Sequence, residues 1–254
     1  MALRHLYLFR GTDMSLLSIA NAVADETKGP RPETIATNTD PAAQNVLRLV
    51  NKVGNRLQKA YAWNILTREA TLTASGSETL IAASALPGDF DRIIPETMWD
   101  RGTNNLISGP VSAVEWQGLK VQSYASQNKK WRYRYGDILT SPAVAAGNTV
   151  AYEYVSSKWA KNSGGVVQTS MTADTDTAVI SEELIIYGTI WEWLDSEGQP
   201  SASAFQQFKS EFDSLVDADE ASADILTTGD IFAQNSRHFT GEPKASRASY
   251  GGDF

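Results

Sequence analysis

Catalysis needs groups whose protonation or nucleophilicity a fold can tune, and this chain holds few of them. Cysteine is absent, so there is no thiolate nucleophile, no thiolate metal site and no disulfide. The two histidines, His5 and His238, both fall in expected terminal arms. Burial and exact orientation are hard to arrange there, so neither a Ser-His-Asp constellation nor a histidine metal site is expected. Gly164-Gly165 is not followed by Lys-Ser/Thr, which leaves no phosphate-binding loop. Paired carboxylates are the remaining route, because a glycosidase needs only two. Asp89 and Asp91 flank Phe90, and Asp174 and Asp176 flank Thr175. The second pair lacks the glycine and the distal glutamate of a calcium loop. The first pair reads as a turn leading into a strand, the second as a solvated loop. The expectation is a chain that is not an enzyme and that uses no cofactor and no metal.

Charge is the stronger signal. The formal net charge is −8, but residues 181–230 carry twelve acidic side chains against one lysine, Lys209, a net of −11 that leaves the remainder at +3. Phosphate repels an acidic protein, so general nucleic-acid binding is not expected. A local acidic face can instead dock on a basic partner, or line a passage through which DNA slides without sticking. It also fits a plain solvated helix surface. Arg48, Lys52, Arg56 and Lys59 recur three or four residues apart and form a basic stripe on one helix. The stripe is expected to face solvent or to meet the acidic late helices, within a subunit or between neighbours. In KWRYRY, Lys130, Arg132 and Arg134 alternate with Trp131, Tyr133 and Tyr135. That pattern has the composition of a nucleic-acid platform. A strand with aromatics on a core, cations in water and Glu153 as a cross-strand partner explains it more simply.

These residues must be positioned by elements whose periods are legible. Residues 15–27 read as a short helix, broken by Pro30 and Pro32. Asp40-Pro41 starts a second helix, with Val46, Val50, Val53, Leu57 and Tyr61 at helical spacing through residue 65. The period then changes, and strands are predicted at 68–74, 78–83, 91–99, 104–107, 130–135, 138–140, 149–155 and 165–171. Gly136-Asp137 is read as the turn after KWRYRY. Ser112 and Glu115 form a capping box ahead of a helix carrying Trp116 and Leu119. Ser181 caps a later helix with Leu184, Tyr187, Trp191 and Leu194 as its apolar stripe, and Ser201 starts another with Phe205, Phe208, Phe212 and Leu215. After residue 224 the pattern fades into an expected extended tail.

Neither the early nor the late helices can bury their apolar stripes alone. The expected fold is therefore α+β: a helical bundle of N-terminal and C-terminal helices, with a β-rich insertion and a C-terminal tail. The limits are an arm at 1–13, helical halves at 14–66 and 181–224, the insertion at 67–180 and the tail at 225–254. Three sequential domains are the alternative. No apolar run approaches the roughly 20 residues of a membrane span. Met1 to Phe9 is too short and too polar for a signal peptide.

An ordered series of motifs then suggests a family. It consists of Trp63, Thr67-Arg68-Glu69-Ala70, Asp89-Phe90-Asp91-Arg92, Trp99, Arg101, Gly109-Pro110, Trp116-Gln117-Gly118-Leu119-Lys120 and the run AYEYVSSKWA at 151–160. This series, with the opening from Met14, resembles the head-to-tail adaptor (connector) proteins of short-tailed bacteriophages, over Met14 to Trp193. Thirteen residues precede Met14, where such a protein is expected to begin, and TNN at 103–105 stands where a more basic run is expected.

The resemblance implies a structural virion protein of the neck between capsid and tail. It implies a homo-oligomeric ring, of twelve copies, that joins the portal protein to tail nozzle or fibre proteins and extends the DNA channel. DNA would pass without sequence-specific binding, and no membrane is involved. Ile231, Phe232, His238, Phe239, Tyr250 and Phe254 are the expected portal anchors. Trp99, Arg101, Trp116 and Trp131, with the stripe Arg48, Lys52, Arg56 and Lys59, are expected at subunit or tail interfaces. Glu211, Asp213, Asp217 and Glu220 are expected to face the channel. Rival readings are another virion component, such as a tail nozzle protein, and a carbohydrate-binding or glycan-cleaving module built on the Asp pairs.

Overall fold

A computed structural model describes residues 14–29, 31–121 and 128–226. The chain mixes helices with several antiparallel sheets, as an α+β fold does. The described residues divide into two units, one ending at Phe212 and the other beginning at Asp213. The expected arm at 1–13, the tail from 227 onwards and the portal anchors Ile231, Phe232, His238, Phe239, Tyr250 and Phe254 lie outside the described residues.

Helix ends follow local chemistry. Helix α1 (Leu16–Thr27) begins at Ser15, whose hydroxyl accepts from the Ser18 amide at 3.3 Å, and ends at Lys28 in the left-handed region (φ 57°). Helix α2 (Pro41–Ala60) starts as its residues dictate: the Asp40 carboxylate accepts from the Ala42 amide at 2.8 Å, and Pro41 occupies the first turn. It stops at Ala60, five residues short of the expected end. Tyr61 is extended, and the Trp63 indole donates to the Leu57 carbonyl at 2.8 Å, satisfying an acceptor the helix would otherwise leave open.

Helix α4 (Glu182–Ser196) packs on both α1 and α2. Its buried residues are Leu184, Ile185, Gly188, Thr189 and Glu192, so the expected stripe of Leu184, Tyr187, Trp191 and Leu194 is rotated. The reason lies in its neighbours. Gly188 admits Val53 of α2 so closely that an added Cβ would sit 2.7 Å from Val53 Cγ1. Trp191 instead packs against Phe205 and Phe208, at ring-centroid distances of 4.9 and 5.6 Å. Both phenylalanines stand on α5 (Ala202–Leu226), the helix within which the division between the two units falls.

The β-rich region holds two larger sheets. In the first, β8 (Thr149–Ser156) is central: β1 (Thr67–Thr73) pairs along one side, while β3 (Phe90–Ile93) and β4 (Trp99–Asp100) share the other and β5 (Asn105–Leu106) closes the edge. The second has the order β2 (Thr79–Ile81), β7 (Asp137–Ser141), β6 (Lys130–Arg134). A small third sheet joins β9 (Ala160–Lys161) to β10 (Val167–Gln168) and β11 (Thr177–Ala178). Trp131 and Ile138 from the second sheet and Val150, Tyr152 and Tyr154 from the first belong to one buried core, which therefore lies between the two sheets. Helix α3 (Ala113–Val121) packs on β7, with Trp116 buried.

Two strand expectations and one turn change. The segment 91–99 is not one strand: β3 ends at Ile93, Pro95 follows two residues on, and Glu96 is left-handed (φ 61°), so β4 starts afresh at Trp99. The segment 165–171 contracts to two residues. The turn after β6 is Tyr135-Gly136, with φ of 58° and 84°, and not Gly136-Asp137; two left-handed residues give the twist a tight hairpin needs.

Candidate interaction surface

The carboxylates that might have done chemistry are used as structural ties. Asp89 accepts from Tyr154 Oη at 3.0 Å and Ser156 Oγ at 2.8 Å, with Arg68 at 3.1 Å. Burial pushes its carboxyl up, but the Ser156 and Tyr154 hydrogen bonds and the Arg68 charge outweigh it and hold the pKa below the ordinary carboxylate value. Such a group stays ionised and is poorly suited to give up a proton. Burial and the same Asp89 contact push the Tyr154 phenol up to about 12. Asp91 is engaged by Arg92 at 2.6 Å.

Asp174 and Asp176 do not sit in the solvated loop that was expected; their carboxylates tie loop backbone together. Asp174 accepts from the amides of Ile35 (2.9 Å) and Ala36 (2.8 Å). Asp176 is buried and accepts from the Thr172 and Ala173 amides at 2.7 and 2.9 Å. Burial raises its pKa, and those amides more than reverse the effect. Among the described residues no cluster of three or more His, Cys, Asp or Glu is placed to hold a metal.

The basic stripe divides. Lys52 and Arg56 both reach Glu192 of α4 at 2.5 Å, and the Arg56 guanidinium lies 5.2 Å from the centre of the Trp191 ring. The ion pairs are within the subunit, one of the two arrangements expected. Arg48 bonds its own helix, through Asn45 at 2.7 Å, and Lys59 is exposed.

Of the expected interface tryptophans, Trp116 and Trp131 are buried in the subunit, so neither presents a surface to a neighbour. Trp99 is different: it is 45% exposed, on the short strand β4. Register sets its surroundings. Glu69 faces Glu153, Thr71 faces Ala151, and Trp99 faces the same Ala151 from the other side. Since alternate residues share a face, these side chains lie on the side of the sheet away from the core that holds Val150, Tyr152 and Tyr154. Arg101 lies beside them, 2.6 Å from Glu69, and Glu96 lines the same shallow depression.

That depression joins Trp99 and Arg101, which the sequence singles out, to Glu69, Glu96 and Glu153, which it does not. Glu153 has no place beside β6: it stands on a strand of the other sheet, directly across from Glu69. Its orientation was readable from the alternation in AYEYVS, but its partner depends on register. Like charges directly opposite each other destabilise a sheet, and here Arg101 compensates one carboxylate of the pair.

Beneath this face, Asp100 points inward and is fully buried. It takes hydrogen bonds from Asn148 (2.9 Å) and the Gly102 amide (3.0 Å), and an ion pair from Lys129 (3.1 Å). Burial raises its pKa; Thr103, Lys129 and Asn148 bring it below the ordinary value. Trp99 is thus carried on a strand anchored from below.

Among the expected channel residues, Glu211 is half-buried, and burial and the nearby Glu183 raise its pKa. Asp213, Asp217 and Glu220 are exposed.

A site made of one open tryptophan among charges, in a chain whose paired aspartates are engaged by the fold, suits binding a partner. The model of the SU10 adaptor protein family matches residues 14–229. The chain belongs to the SU10 adaptor family. It is thereby a phage structural adaptor and a virion component, and the match extends past the Met14–Trp193 resemblance into α5. No curated protein matches the adaptor. No described helix of the adaptor is long and apolar enough to cross a membrane.

Proposed function

We propose that the adaptor assembles as a closed ring, of twelve copies, between the portal protein and the tail nozzle or fibres at the neck of the virion. The ring extends the DNA channel, and the protein performs no catalysis. The observation that carries this reading is the family match over residues 14–229. Two features of the molecule support it. Asp89, Asp91, Asp174 and Asp176 are engaged by donors of their own fold, which leaves neither Asp pair free for the glycan-cleaving alternative. Trp99, exposed among charges, has the character of an interface anchor, and tryptophan and arginine dominate such anchors. DNA is expected to meet acidic rather than basic protein along its path, with Glu211, Asp213, Asp217 and Glu220 as the residues that keep it mobile.

Mixing the purified chain with its portal and imaging the product tests the proposal. Rings capping the portal are expected; a portal that stays bare at saturating adaptor refutes it. Ile231, Phe232, His238, Phe239, Tyr250 and Phe254 are the proposed portal anchors. A chain ending at Thr227 should remain folded and fail to bind, and undiminished binding would remove them from that role.

A further inference from the structure

The two large sheets pack core to core, so each has an outward side, and the two outward sides differ in charge. On the first sheet that side carries Trp99 with Glu69, Glu96 and Glu153 against one cation, Arg101. On the second, β6 turns Trp131 into the shared core and Tyr133 to its rim, 41% exposed, where Tyr133 stacks on Phe90 at 6.4 Å. Lys130, Arg132 and Arg134 therefore point the other way. Arg132 and Arg134 have no ion-pair partner among the described residues. The neighbouring strand offers Asp137, and its carboxylate already accepts from the Ala83 amide at 2.8 Å. Tyr135, at the tip of the same hairpin, is fully exposed.

We infer that the occupant of the Trp99 face is the β6 hairpin of a second copy of this chain. The assignment rests on the ring reading above and specifies its subunit contact. A ring closes through heterologous contacts, in which two different surfaces of each subunit meet, one from each neighbour. Opposite outward sides of one two-sheet layer, one acidic and one basic, supply such a pair. Arg132 and Arg134 of one copy compensate the Glu69–Glu153 pair of the next, which carries one cation too few on its own. Tyr135 lies against Trp99. A basic nucleic-acid face is the competing use of β6, and the same experiment separates the two.

The test is charge reversal with rescue, assembled on the portal and counted as complete rings by electron microscopy. Glu69, Glu153 and Arg134 are exposed and Arg132 is half-buried, so circular dichroism checks that each variant keeps the fold. E69K/E153K alone and R132E/R134E alone should each cut complete rings on the order of tenfold or more, since like charges then meet across the contact. A chain carrying all four changes should recover most of the loss. Rings that form normally with either double variant, or a quadruple variant no better than its parents, would overturn the contact and leave the ring intact. Wild-type chain that makes no ring on the portal overturns the ring and the contact together. Loss of DNA binding by R132E/R134E with ring assembly unchanged would assign β6 to nucleic acid instead.

Discussion

Trp159 and Trp99 show how differently the molecule uses its helices and its sheet. Trp159 is fully buried against α2, over Gly54, with its indole donating to Asn55 at 3.1 Å. The helical region treats the middle of its basic stripe in the same way: Lys52 and Arg56 converge on Glu192 within the subunit. Trp99 sits on a strand and remains nearly half exposed, over a carboxylate pair that the subunit compensates only in part. The ion pairs on Glu192 are complete in one copy, whereas the sheet face has unmet capacity. That difference teaches where a partner belongs, and aromatic content alone would not reveal it.

The comparison breaks most visibly at the two rings. Trp159→Ala should cost about 3–5 kcal/mol in urea unfolding, the usual range for emptying a buried aromatic site. Trp99→Ala should stay within about 0.5 kcal/mol of the parent and lose assembly instead. Equal destabilisation by both would erase the distinction between the two rings.

Gly54→Ala sharpens the helical side. Alanine gains about 1 kcal/mol of helix propensity, but the new Cβ would stand 2.3 Å from the Trp159 ring, so the net should be a loss of about 1–3 kcal/mol. A rise in melting temperature would show that the ring can move aside.

Smaller still is Glu192→Gln, which should cost about 1 kcal/mol in the same urea experiment: both cations are more than 40% exposed and screened by solvent. Most of that difference should vanish in high salt.

Melting temperature against pH probes the anchoring beneath the sheet face. The carboxyls of Asp89, Asp100 and Asp176 bind protons less readily folded than unfolded. Their contribution is present above the ordinary carboxylate value and is lost as pH falls through the lowered ones. Tyr154 works with the opposite sign at the other end: its phenol is favoured neutral in the fold, so that contribution holds below pH 10 and is lost on approaching about 12. Asp100→Asn should flatten the acid limb.

What the sequence reveals follows from how local each cause is. Helix starts were legible at Asp40-Pro41 and Ser181 because a cap needs only its own next few residues. The buried face of α4 was not, because Gly188 is chosen for what Val53 and Phe208 require, far away in the chain. Alternation in KWRYRY placed Trp131 correctly inside, yet Tyr135 escaped the pattern because the hairpin needs a left-handed residue there. At the surface, the exposed Trp99 and Arg101 were nameable from composition and motif. Their acidic surroundings were not, since Glu69 and Glu153 meet only through the register of strands some eighty residues apart. Trp116 and Trp131 look like anchors in sequence for the same reason Trp99 does; only burial separates them.

The most direct test of the account is a cryo-electron microscopy reconstruction of the intact neck from purified particles. Density for this chain should form a closed ring against the portal, with Trp99 of each subunit covered by its neighbour. A particle that lacks the polypeptide, or a ring in which every Trp99 faces open solvent, would contradict it.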